Sequence, residues 1–164
     1  MKTLITACAL AFFASCSASD PKTLTDEGSK ALSSGDYADA AESFDAALAA
    51  MGTDTANPDW MRAKLGAIQA RTRLDAGKAK DEFLALASAE PGKVTEDHYY
   101  QVASNLGAAN KLVEATQVLE SGKKAFQDSK ALDKLGTELA NKALQSGDAD
   151  ALDSLKGLGY VGGD

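Results

Sequence analysis

The sequence predicts an all-α protein on three observations. Alanine is abundant, while a chain of 164 residues carries only 14 glycines and 3 prolines, a balance that favours helix over sheet. Nowhere do apolar and polar residues alternate with period two for long enough to mark a half-buried strand. Capping residues and stop signals recur at short intervals, and apolar residues spaced three or four apart lie between them. The length suits one domain with one continuous core.

The first segment is set aside from that domain. In "MKTLITACALAFFASC", Lys2 precedes an apolar run from Leu4 to Ala14 and then small residues. This reads as a signal peptide over residues 1–15, since a spanning helix needs about 20 apolar residues. Its end, Phe13-Ala14-Ser15-Cys16, resembles the lipobox of bacterial lipoproteins, with Phe13 standing where leucine is usual. The resemblance implies cleavage before Cys16 and acylation of its thiol, which would make Cys16 the membrane anchor. Each buried acyl methylene contributes about 0.8 kcal/mol to such an anchor. Ser17 rather than aspartate implies, by the sorting pattern of enteric-type bacteria, an outer-membrane destination facing the periplasm. Cys8, behind Ile5-Thr6-Ala7, has a similar context but too short an apolar run. The alternative is plain secretion as a soluble protein, with cleavage after Ala18 or Ser19. No cysteine follows position 16, so a mature chain of either kind has no intrachain disulfide. Residues 16–22 make a short linker.

Eight helices are expected in a domain over residues 23–158. Thr23, with Asp26 three residues on, signals the helix over 23–34, and Gly35 sits at the turn. Asp36 with Asp39 opens the helix over 37–50, which Gly52 stops. Asn57 and Pro58 supply the cap and first-turn proline for 58–75. A helix over 78–89 ends before Pro91-Gly92. Thr95, ahead of Glu96 and Asp97, starts 95–108, and Asn110 tolerates the left-handed turn into 111–126. The last pair covers 130–145 and 148–157. Asp148 caps the latter, and Asp150 and Asp153 place negative charge where the helix dipole favours it. They lack the glycine and terminal glutamate of a calcium loop. In the final "LKGLGYVGGD", Leu155, Leu158 and Tyr160 are suited to cover the open end of the last hairpin. The alternative is a flexible tail carrying a short linear motif, and residues 159–164 are taken as the tail.

A repeat runs through these helices. Gly28, Gly35, Tyr37, Ala40, Phe44 and Ala47 stand at intervals of 7, 2, 3, 4 and 3. The pattern resembles the tetratricopeptide repeat, a helix-turn-helix of about 34 residues. The resemblance implies that Gly28, Ala40 and Ala47 let helices approach closely while Tyr37 and Phe44 fill between them. Tyr99, Val102, Ala103, Leu106, Leu112, Ala115 and Leu119 fall in corresponding positions of a third unit. Ser146-Gly147-Asp148 repeats Ser34-Gly35-Asp36 in a fourth, with Leu139, Ala140 and Ala143 ahead of it. The second unit keeps Leu65-Gly66, Phe83 and Pro91, but one extra residue separates Gly66 from Phe83, so its register stays open. Hairpins with an apolar stripe on both sides stack into a solenoid, here of about four repeats. A non-repeating bundle of the same helices is the alternative.

Family geometry also implies which side chains face a concave groove: Asp97 and Tyr100, with Ser104 and Ala108 on the same stripe, in the third unit. The bland alternative for Tyr100 is a half-buried packing role. All three arginines, Arg62, Arg71 and Arg73, lie in one expected helix beside Lys64, the most distinctive charge feature of an acidic chain. Clustered guanidinium groups suit a peptide carboxylate, through bidentate contacts. The alternative is a solvated face paired with Asp59, Asp75 and Asp81. His98 is the single histidine, and no serine or cysteine nucleophile is evident for it to activate, so a small periplasmic hydrolase is the weakest reading. One histidine and at most one mature cysteine leave no metal site, and no cofactor motif is present. A net charge of -7 and a pI near 4.7 argue against nucleic acid, because nothing offsets phosphate repulsion. The expected function is therefore a non-catalytic envelope scaffold that binds a protein or peptide partner. A structural or assembly lipoprotein of an outer-membrane complex is the neighbouring alternative.

Overall fold

The computed structural model describes residues 20–162; the expected signal peptide, Cys16 and the last two residues of the tail lie outside them. The described residues form eight α-helices and no strand: α1 (Pro21–Ser34), α2 (Tyr37–Met51), α3 (Trp60–Leu74), α4 (Ala76–Ala89), α5 (Glu96–Ala108), α6 (Leu112–Ala125), α7 (Lys130–Ser146) and α8 (Ala149–Gly157).

The helix ends follow local chemistry. Helix α1 starts two residues before Thr23, because Asp20 caps it, accepting from the Thr23 N–H at 3.3 Å, and Pro21 takes the first turn. Gly35 ends it in the left-handed conformation, φ 85°. Asn57 does not cap α3 directly. Its Oδ1 accepts from the Asp59 N–H at 2.9 Å, a turn that delivers the chain to Trp60. Asp75 alone joins α3 to α4: it follows the last turn of α3, and its Oδ1 accepts from the Lys78 N–H at 3.0 Å. Helix α4 therefore begins at Ala76 rather than near residue 78. Asn110 adopts φ 61° at the α5–α6 turn. Ser129 and Asp148 cap α7 and α8 through the Leu132 and Ala151 N–H groups.

Packing runs along the chain. Each helix touches only its first and second neighbours in sequence. The odd-numbered helices meet in succession, α1 with α3, α3 with α5, α5 with α7. Among the even-numbered ones, α4 meets α6 and α6 meets α8, but α2 and α4 do not touch.

The apolar interior divides at that gap. One core joins Ala40, Phe44, Ala47 and Met51 of α2 to Ala63, Ala67 and Ala70 of α3. The other begins at Ile68 and continues through Phe83, Tyr99, Ala103, Leu106, Ala115, Leu119, Leu139 and Leu155. Trp60 packs against both. Phe44 lies between two glycines, and a Cβ would come within 2.8 Å of its ring at Gly28 and within 2.4 Å at Gly66. The ring edges of Phe83 and Phe126 meet Tyr99, with centroids 5.0 and 5.9 Å away. Tyr37 is half-buried at the start of α2.

The C-terminal segment docks onto this interior. Leu155 is fully buried, and the half-buried Leu158 and Tyr160 pack against the larger core. The Tyr160 ring lies so close to Gly136 that a Cβ there would fall 2.3 Å from it. Its hydroxyl donates to Asp133 at 3.0 Å, and Lys123 pairs with the same carboxylate at 2.7 Å.

Candidate functional site

The four basic side chains of α3 do not converge. Arg62 is exposed and reaches back to α1, pairing with Asp26 at 2.7 Å and with Asp59 at 2.9 Å. Lys22 also pairs with Asp26 at 2.6 Å. Lys22 and then Arg62 hold that carboxyl below its ordinary range, and Asp26 in turn raises the guanidinium of Arg62. Arg73, near the other end of α3, is exposed, with its guanidinium carbon 5.9 Å from the centre of the Tyr37 ring. Lys64 is half-buried and turned toward the end of α4.

Arg71 points inward. Its side chain is only 10 % exposed and pairs with Asp45 of α2 and with Glu82 of α4, the latter at 2.9 Å. It therefore spans the place where α2 and α4 fail to touch. Of the three aspartates expected to neutralise this helix, Asp59 alone does so. Asp75 is occupied as a cap, and Asp81 pairs with Lys80 at 2.8 Å. The sequence reading missed Asp45 and Glu82, which lie 26 and 11 residues from Arg71. No local spacing links either carboxylate to Arg71, because both pairs run between helices.

The third-unit residues lie together on α5. Asp97 is exposed in the first turn, Tyr100 is half-buried against the larger core, and Ser104 is half-buried one turn further on. Ser104 and Ala108 form one wall of a shallow depression of about 180 Å³, and Leu135, Glu138 and Lys142 of α7 form the other. The Lys142 ammonium donates to the Gly107 carbonyl oxygen across its floor. This wall from α7 was not anticipated, although Glu138 and Lys142 stand four apart, the spacing that brings side chains together on a helix.

Two further groups are committed to helix starts. His98 Nδ1 accepts from the Thr95 N–H at 3.1 Å, so the imidazole completes the first turn of α5 as a glutamine would. Asp148 accepts from the Ala151 N–H at 3.1 Å. Among the described residues no group of three or more His, Cys, Asp or Glu side chains comes together to hold a metal ion. No helix among them is long and apolar enough to cross a membrane.

Comparison with protein-family models, curated proteins and solved structures finds no match for this chain.

Proposed function

We propose that this chain is a non-catalytic helical-repeat scaffold of the bacterial cell envelope. In this reading it is a solenoid of about four tetratricopeptide-like hairpins that holds a protein or peptide segment along its odd-numbered helices. It is exported and anchored to the outer membrane through an acylated Cys16, or released as a soluble secreted protein if cleavage falls beyond that cysteine. It needs no cofactor or metal, and its acidity disfavours nucleic acid.

The observation that carries the reading is the pattern of helix contacts. A bundle closed on itself packs early helices against late ones, whereas among the described residues no helix touches one three or more places away. That pattern leaves α1, α3, α5 and α7 as one continuous row. The depression between α5 and α7 lies on the row and includes Ser104, one of the residues that the repeat assigns to the groove. Adjustable polar groups beside an aromatic surface, as at Ser104 and Tyr100, suit adaptable recognition of a peptide.

The test uses Ser104→Trp, which fills the depression, with Gln117→Trp on the exposed face of α6 as its counterpart. Partner capture from envelope extracts, quantified by mass spectrometry, should fall at least about tenfold for the first and stay unchanged for the second. Equal capture by both would remove the odd-numbered row as the binding face. Cys16→Ser should shift the protein from the membrane to the soluble fraction, and continued membrane association would contradict the lipid anchor.

A further inference from the structure

Between the start of α3 and the end of α4 lies an open depression of about 290 Å³, with Trp60, Ala85, Leu86 and Ala89 in its lining. Two carboxylates also border it, Glu82 and Glu90, and both are paired, Glu82 sharing Arg71 with Asp45. Glu82 takes Arg71 at 2.9 Å, with Lys78 4.0 Å away, and Glu90 takes Lys93 at 3.2 Å. Lys93 is further held by the Thr55 carbonyl oxygen at 3.1 Å, which sets its ammonium 5.5 Å from the centre of the Trp60 ring.

Lys64 is the remaining charge. It is half-buried and borders the same depression, yet among the described residues its ammonium enters no hydrogen bond or ion pair. A half-buried lysine with an unpaired ammonium, set beside an indole and three aliphatic side chains, matches an anion carrying an apolar body. Pockets for drug-sized ligands run to about 300–1,000 Å³, so this one suits a smaller molecule.

We propose that the depression binds a small amphipathic carboxylic acid. Its carboxylate pairs with Lys64, and its apolar body lies over Trp60, Ala85, Leu86 and Ala89. The site is separate from the α5–α7 surface and does not depend on the scaffold reading.

Trp60 is the only tryptophan of the chain and so reports on the site directly. The full chain is titrated with octanoate, octanol and acetate while Trp60 emission is followed. Octanoate should produce a saturable shift, with octanol weaker by about tenfold or more for want of the charge-assisted hydrogen bond, and acetate weaker by about tenfold or more for want of the apolar chain. Lys64→Met should weaken octanoate by a similar factor, Lys64→Arg should retain it, and Ala85→Phe should abolish the shift by filling the space. Circular dichroism checks that each variant is folded, and the octanoate–octanol comparison on the unaltered chain decides the matter if Lys64→Met does not fold. Equal responses to octanoate and octanol, or undiminished binding by a folded Lys64→Met, would overturn the proposal. So would a leucine-ended peptide acid that shifts Trp60 when octanoate does not.

Discussion

Phe44 shows how far single residues could be read from the sequence. Its spacing from Tyr37, Ala40 and Ala47 predicted a side chain filling between helices, and its ring lies between Gly28 and Gly66 with no room for a Cβ at either. Gly66→Ala should therefore cost about 1–3 kcal/mol, the usual penalty for overpacking, measured by denaturant unfolding. Arg71 was legible only as a charge. Whether it faced solvent or interior depended on a register that the extra residue between Gly66 and Phe83 obscured. Truncating it to alanine should destabilise the fold by about 2 kcal/mol. That is less than the 3–5 kcal/mol typical of breaking a fully buried pair, because Asp45 is 52 % exposed. A double-mutant cycle with Asp45→Ala should return a coupling that salt reduces only in part.

Tyr160 carries a pH dependence of definite sign. Burial, and then the Asp133 carboxylate, push its phenol up from 10.0 to about 12. A raised pKa means that the folded state retains the proton longer, so this contribution is complete below pH 10.0 and is lost as the pH climbs toward 12. Asp133 behaves in the opposite direction. Lys123 lowers its pKa, so its contribution holds above the ordinary carboxylate range and disappears as the pH falls through the lowered value. Tyr160→Phe should flatten the alkaline limb of a stability–pH curve and cost about 1 kcal/mol at neutral pH, the net worth of one hydrogen bond.

The helices themselves were the most legible part. Cap residues, turn glycines and three- or four-residue apolar spacing located all eight, and the ends moved by no more than two residues. Where they moved, a neighbouring side chain decided it: Asp20 and Pro21 extended α1, and Asn57 folded into a turn rather than a cap. The joint between α3 and α4 was the hardest to foresee, because Asp75 serves both helices at once and leaves no loop to punctuate them. Asp75→Ala should accordingly cost about 1 kcal/mol through the lost cap at Lys78. Hydrogen exchange should place the effect in the first turn of α4.

The whole chain departs from the expectation of one continuous core. Among the described residues its apolar interior is split, and α3 with its Trp60, the Arg71 pairs and the Lys93–Thr55 hydrogen bond connect the parts. Local openings then need not be shared, and amide exchange in α1 and α2 should respond to Gly28→Ala well before exchange in α6 to α8 does. Charge is divided as well. The odd-numbered helices carry nine Lys and Arg against six Asp and Glu, and the even-numbered ones carry five against nine.

The candidate groove was half legible. Repeat position indicated Asp97, Tyr100 and Ser104, but the opposite wall depended on how α7 was set against α5, which no local pattern in the chain specifies. Site-specific photocrosslinking examines that surface on the intact protein. A photoreactive residue is placed at Ser104 or Glu138 on the odd-numbered row, and at Glu42 or Gln117 on exposed positions of α2 and α6. Crosslinks to one common partner from Ser104 and Glu138, absent from Glu42 and Gln117, are the expected result. A partner captured from the even-numbered helices and not from the row would contradict the binding face proposed for this chain.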